Sequence, residues 1–222
     1  MKVGTDGVLL GAWVKCEKPK RILDIGTGTG LIALMMAQRF IEAEVTAIEV
    51  NEPACDDASK NFRTSSYADR LSLVCGDFMK FEFVDTFDLI VCNPPFFLNS
   101  LNSPFRGKTQ ARHADYLPPE KLVERANKLL TKDGKLAVIY PPEGFSRFSD
   151  AAREAGLNLV REMEVNPTPQ KPPHRISGEF QKNEIGLQKE SLTIEKYGRH
   201  GYSEEYQALT QDFYLARVFN RT

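Results

Sequence analysis

Apolar and polar positions along the chain follow two alternating rhythms. Short apolar or β-branched runs occur at Arg21–Ile25, Glu44–Glu49, Leu71–Cys75 and through Phe87, Leu89, Ile90 and Val91. Between and after them lie stretches with helical periodicity, at 31–40, from Pro53 to about Tyr67, at 118–130 and at 143–155. The first rhythm predicts buried strands and the second predicts helices packed on a sheet. Gly134–Tyr140 and Asn158–Val165 read as further strands, and residues 2–14 as a turn that continues into an apolar helix. After a proline-rich connection at 166–174, Arg175–Gln181 and Ser191–Lys196 alternate like two antiparallel strands paired with each other. The tail from Ser203 reads as a short helix with an extended end. Five βα repeats followed by strands joined without helices predict one α/β domain over residues 1–222. Its sheet is expected to be mostly parallel, with seven or more strands, helices on both faces and an antiparallel pair near the C-terminus.

The candidate chemistry falls where these strands stop. The fourth strand ends at Asn93-Pro94-Pro95-Phe96. Two prolines fix φ and lack N–H donors, so this turn is expected to expose carbonyl oxygens rather than amides. Asn93 adds a side-chain carbonyl acceptor and Phe96 a flat ring. Two convergent acceptors beside a ring suit a planar group that carries an NH₂. Asn-Pro also opens ordinary turns, so a strand-ending turn with a core Phe is the competing reading.

The first strand runs into Gly26-Thr-Gly-Thr-Gly30, where Gly26, Gly28 and Gly30 let a ligand approach the backbone closely. Leu31 stands where the dinucleotide fingerprint needs its third glycine. Asp24, at the end of the strand, argues against a pyrophosphate and for a ligand with a cationic or hydroxyl group. Glu49 ends the second strand about 20 positions on, where a carboxylate holds a ribose diol. Asp77 and Phe78 follow the third strand and could accept from an adenine amino group and cover its ring. A solvated Asp and a core Phe are the plain alternatives. Gly4-Thr5-Asp6 either caps the first helix or lies close to the ligand. The polar stretch 97–115, with Arg106, Lys108, Arg112 and His113, reads as a mobile loop over the site.

Composition narrows the function classes. A chain of 222 residues with formal charge −1 has no bulk attraction for nucleic acid, so any such binding needs a local cluster of cations. Two groups border the same rim: Arg106, Lys108, Arg112 and His113, and Lys171, His174 and Arg175. Singly, each of these reads as a solvated loop charge; jointly they read as phosphate contacts. Cys16, Cys55, Cys75 and Cys92 form no C-x-x-C pair, and Cys75 and Cys92 fall in apolar strand patterns. Reduced buried thiols and a cytoplasmic location are therefore expected. No apolar run approaches a membrane span, no signal-peptide pattern is present, and no spacing suggests a metal site.

Taken in order, Asp24-Ile-Gly-Thr-Gly-Thr-Gly30, Glu49, Gly76-Asp77-Phe78 and Asn93-Pro-Pro-Phe96 resemble the class I S-adenosylmethionine-dependent methyltransferases and their Rossmann-like fold. The Asn-Pro-Pro-Phe motif is similar to that of members that methylate a planar NH₂ nitrogen. More narrowly, Lys2–Trp13, Arg112-His-Ala-Asp-Tyr-Leu117 and Tyr206–Leu215 resemble the bacterial valine-tRNA adenine-37 N6-methyltransferases. The resemblance implies S-adenosylmethionine as cofactor, tRNA as partner, a monomer, and no metal. It assigns Gly26, Gly28 and Gly30 to the methionine part of the cofactor, with Thr5 and Asp24 nearby. Glu49 goes to the ribose, and Asp77 and Phe78 to the adenine. Asn93, Pro94, Pro95 and Phe96 go to the target base, which must be splayed out of its loop, and Asn93 also borders the cofactor. That family carries a short segment before the Lys-Val-Gly-Thr-Asp motif at which this chain starts, so either a truncated start or a shorter cover over the cofactor is expected. The competing classes are methylation of rRNA guanine N2 or of a protein glutamine, and a non-catalytic cofactor- or RNA-binding module.

Overall fold

The computed structural model describes residues 4–94, 117–215 and 218–219. Eight strands form one sheet: β1 (Arg21–Ile25), β2 (Glu44–Glu49), β3 (Leu71–Cys75), β4 (Phe87–Cys92), β5 (Leu130–Tyr140), β6 (Asn158–Asn166), β7 (Arg175–Gln181) and β8 (Gln188–Thr193). Their order is β3-β2-β1-β4-β5-β7-β6-β8. The helices are α1 (Thr5–Trp13), α2 (Leu31–Arg39), α3 (Glu52–Thr64), α4 (Pro119–Leu129), α5 (Pro142–Glu154) and α6 (Glu204–Thr210).

Two apolar layers cover the two faces. On one, Ile22, Leu89, Val91, Ala137 and Ile139 of the sheet meet α1, α2, Phe62 of α3 and Tyr206 of α6. On the other, Leu23, Ile25, Ile90, Leu136 and Val138 meet α4 and α5. This inversion along single strands is the period-two alternation of a sheet buried on both sides. Phe148 and Phe180 are fully buried in the second layer with ring centroids 5.4 Å apart. Each contributes about 1.5–3 kcal/mol through burial alone. α1 is buried nearly all round, from Gly7 to Trp13, because it lies between the sheet, α2 and α6. Asn51 caps α3 by accepting from the Ala54 amide at 3.1 Å, and Ser203 caps α6 by accepting from Tyr206 at 3.0 Å.

Three expectations are corrected. β7 and β8 do not pair with each other. β7 is inserted antiparallel between β5 and β6, and both its edges are used, so β8 lies parallel on the outer edge of β6. There are four βα repeats rather than five, since β3 returns to β4 through residues 76–86, which form no helix; Phe81 and Phe83 pack edge-on there at 4.8 Å. Cys75 is exposed because it ends the edge strand β3, whereas Cys55 and Cys92 are buried.

Candidate functional site

The strand order reverses between β1 and β4, and in an open α/β sheet that crevice is where ligands bind. Ile25 and Cys92 are register partners, so the glycine loop after β1 and Asn93 after β4 leave the sheet side by side. Glu49 ends β2 next to them.

Asp24 is buried, 1 % exposed. Its Oδ2 accepts from the Thr27 hydroxyl at 2.5 Å and the Ala33 amide at 3.0 Å, while Oδ1 has no partner among the described residues. Burial pushes the Asp24 carboxyl up to about 7; the two hydrogen bonds oppose this, and the nearby Glu49 charge adds to it. Cys92, buried below the loop, is also pushed up, by desolvation first and then by Asp24 and Glu49.

The loop is held open by its own backbone. Gly26, Gly28 and Gly30 have φ of 68°, 59° and 86°, values that side chains with a Cβ rarely adopt. Their surroundings differ. A Cβ on Gly26 would meet nothing within 4 Å, whereas one on Gly30 would strike the Phe62 ring. Gly26 therefore borders open space, and Gly30 serves the packing of α2 on α3. Glu49 is tied to the loop: Oε2 accepts from the Gly28 amide at 2.8 Å, and Oε1 from Val50 and Asn51, both at 2.9 Å. Three N–H groups fix the carboxylate at the rim and leave it room for a further donor.

Asn93 closes the other side of the crevice. Its Oδ1 is buried with no partner among the described residues. Its Nδ2 lies 3.8 Å from the position a Cβ on Gly7 would take, so the first turn of α1 packs beside it. This places Thr5, exposed, at the site's border. Asp6, by contrast, is committed to Arg175 Nε at 2.8 Å. Pro94 is buried. Pro95, Phe96, Arg106, Lys108, Arg112, His113 and the expected loop at 97–115 lie outside the described residues.

The remaining candidates divide. Asp77 is partly exposed, accepts from the Met79 amide at 2.8 Å and sits 3.5 Å from Lys80. Phe78 is a core side chain, 6 % exposed, with Phe83 6.1 Å away and the Arg125 guanidinium 5.4 Å from its ring centre. Lys171 is exposed. His174 is anchored to the Val165 carbonyl through its amide at 2.9 Å. Arg175 donates to both Asp6 and the His174 carbonyl. Two features were missed from sequence. Thr27 holds Asp24. The hairpin tip at 195–202, closed by the Glu195–Tyr202 bridge, mixes cations and aromatic rings. Only the second had a signal, in Lys196-Tyr-Gly-Arg-His-Gly-Tyr202. Among the described residues no cluster of His, Cys, Asp or Glu is placed to hold a metal, and no helix is long and apolar enough to cross a membrane.

Residues 4–143 match the family model described as methyltransferase small domain. The chain is 44% identical over 216 residues to a Bacteroides thetaiotaomicron protein named tRNA1(Val) (adenine(37)-N6)-methyltransferase, covering 97% of this chain and 91% of that one. It is 41% identical over 215 residues to a protein of the same name from Vibrio campbellii, covering 97% and 89%. Among solved structures, it is similar in fold to a predicted O-methyltransferase from Agrobacterium tumefaciens, with TM-score 0.72, 19% identity and coverage of 93% and 96%.

Proposed function

Since the chain belongs to the methyltransferase small domain family, and within it to the class I S-adenosylmethionine-dependent enzymes, we propose that it methylates N6 of adenine 37 in tRNA1(Val). The observation that carries this reading is the buried Oδ1 of Asn93 at the β1/β4 crevice, which has no partner among the described residues. A buried acceptor without a donor is costly. An incoming exocyclic NH₂ supplies that donor.

The residues present fit S-adenosylmethionine. Asp24 offers a cationic or hydroxyl-bearing ligand a buried oxygen with no partner among the described residues, Gly26 borders open space, and Glu49 is fixed as an acceptor for a ribose diol. Asp77 would border the adenine from the end of β3; Phe78, enclosed in the core, supports that turn from beneath. When bound, the cofactor supplies an electrophilic methyl group on a sulfonium sulfur.

Everything else is done by this chain. An adenine amine is a weak nucleophile because its lone pair is delocalised into the ring. Asn93 Oδ1 and the Pro94 carbonyl would accept its two N–H groups, favouring a pyramidal nitrogen with an available lone pair. Because Asn93 is packed against α1, these acceptors are oriented before the base arrives, and positioning then supplies much of the rate. Phe96, by the family resemblance, stacks on the base. Lys171 and the cations after Phe96 contact phosphate.

Methyl transfer from labelled cofactor to total tRNA, total rRNA and protein extract tests the assignment, with nucleoside mass spectrometry of the product. N6-methyladenosine at position 37 of tRNA1(Val) is the expected result. Label in an rRNA guanine or a protein glutamine overturns the tRNA reading, and label in none of the three overturns catalysis itself.

A further inference from the structure

A cleft of about 440 Å³ lies beside the site, between the first turn of α1 and the hairpin tip at 195–202. Thr5, Asp6, His174, Arg175, His200 and Tyr202 are among the residues that line it. We infer that this cleft is a second nucleotide subsite, which takes an unstacked base and its phosphate from the RNA strand flanking the methylated adenine. The inference rests on the tRNA reading above and extends its phosphate contact at Lys171 to the neighbouring cleft, with a base as well as a phosphate as occupant.

Position comes first. Thr5 and Asp6 are in the same helical turn as Gly7, which packs beside Asn93. One turn of helix rises about 5.4 Å. The cleft therefore shares the first turn of α1 with the residue that packs beside the target acceptor, on the side where a neighbouring nucleotide would pass.

Chemistry comes second. Tyr202 stacks on the buried Tyr206 ring at 5.1 Å and 24°, and His200 meets Tyr202 edge-on at 6.4 Å. The tyrosine pair makes a rigid aromatic wall, with the exposed His200 imidazole at its lip. Sequence-tolerant base binding uses aromatic faces of this kind beside cations. Lys196, Arg199 and His200 are exposed on the tip, and Lys171 is exposed on the facing connection. The anions nearby are already engaged. Asp6 pairs with Arg175, Glu195 accepts from the His200 amide at 2.9 Å, and Glu204 accepts from the Tyr197 hydroxyl at 2.5 Å and pairs with Lys196 at 3.4 Å. Lys196 is taken up by Glu204 and Glu195 keeps its charge, so a ligand meets Arg199 and Lys171 as exposed cations beside the aromatic wall.

Conformation comes third. His200 has φ of 66°, a left-handed backbone that non-glycine residues rarely hold. The flanking Gly198 and Gly201, joined by a 2.9 Å amide–carbonyl bond, would reach such a conformation more easily. An imidazole kept at a strained position on a cleft rim suits a ligand contact.

The test is fluorescence anisotropy with full-length tRNA1(Val) transcript, run alongside steady-state methylation. His200→Ala and Arg199→Ala change exposed tip residues, and both are checked by thermal melting. Each is expected to raise the RNA Kd roughly tenfold, the effect of losing one base-stacking or phosphate contact. KM for tRNA should rise with little change in kcat, and the Kd for S-adenosylmethionine should stay constant. A 4-thiouridine-substituted anticodon stem-loop should photocrosslink to the peptide carrying His200 and Tyr202. If the wild type methylates tRNA1(Val) while both variants bind it normally and no crosslink forms there, the subsite is refuted and the tRNA reading stands. If the wild type neither binds nor methylates tRNA1(Val), that reading falls and takes the subsite with it.

Discussion

Asp24 and Glu179 are two buried carboxylates in one row of the sheet. Register links Asp24 to Val91, Val91 to Ala137, and Ala137 to Glu179. The alternation of a sheet therefore places both on the same face, three strands and roughly 14 Å apart. Their fates are opposite. Glu179, wholly buried, meets Arg161 at 3.0 Å and Lys135 at 3.3 Å and accepts from the Lys15 amide at 2.6 Å. Arg161 reaches on to Glu190 and the Trp13 carbonyl and lies 4.1 Å from the Trp13 ring centre. Asp24 has no cation at all among these contacts, and one of its oxygens is empty-handed. Burial of charge is thus tolerated on both sides, but only on one side has the chain supplied the partner. On the other it has left the carboxylate with a hydroxyl and an amide donor alone.

The largest expected effect comes from making Glu179 resemble Asp24. Arg161→Met leaves a buried carboxylate without its main partner and should cost about 3–5 kcal/mol, lowering Tm by roughly 10 °C. Pairing it with Glu179→Met should restore part of the loss, because the wholly buried carboxylate is gone, while Glu190 and Lys135, which lose their partners, are partly exposed to solvent. A single variant that melts like the wild type in calorimetry would show that the cluster does not hold this edge together.

Next is the rim. Asn93→Ala should reduce kcat by about 10²–10³, as expected for loss of an oriented polar group at the reacting atom. Tm and cofactor Kd should hardly move, since Oδ1 has no described protein partner to lose. Wild-type turnover on tRNA1(Val) would remove Asn93 from the mechanism.

The last effect is graded rather than abrupt and is the most diagnostic, because it follows Asp24 through pH. Its folded carboxyl titrates near 7 against an ordinary 3.8. Between those values the unfolded chain releases a proton that the folded chain keeps, so this group lowers stability as pH rises from about 4 to about 7. Asp24→Asn should flatten that slope and leave the protein somewhat more stable at alkaline pH. Cofactor affinity should run the other way in the wild type, strengthening about tenfold per pH unit up to about 7 as the carboxylate ionises to meet a cation. Calorimetric titrations on both proteins check this; a wild-type affinity flat across that range would detach Asp24 from the ligand.

The rim was legible in the sequence because strand ends announce themselves. Gly26-Thr-Gly-Thr-Gly30 and Asn93-Pro94-Pro95 break periodicity abruptly, and the parallel order then brings them together. Arg161 and Glu179 were not legible. Period-two alternation says which residues share a face, yet a polar residue in an alternating strand reads as solvent-facing unless one knows that α1 lies over it. The same limit hid the Asp6–Arg175 pair, whose partners are 169 positions apart, and the choice of β8 between two edges. Phe78 shows a further ambiguity: an aromatic at a strand end fits a ligand platform and a core plug equally well, and only packing on Phe83 and Arg125 distinguishes them.

The placement of α1 has a mechanical consequence. Its C-terminal end is bolted down: Trp13 Nε1 donates to Glu190 at 2.8 Å, and its carbonyl accepts from Arg161. Its N-terminal turn abuts Asn93. Nine residues of helix span about 13 Å, close to the separation of the two carboxylates. The helix behaves as a strut of fixed length, packed closely on α2 where a Cβ on Gly11 would press on the Met35 side chain. Loosening the bolts would let the far end drift, so hydrogen exchange in the first turn of α1 should quicken when a residue on the opposite side of the molecule is changed.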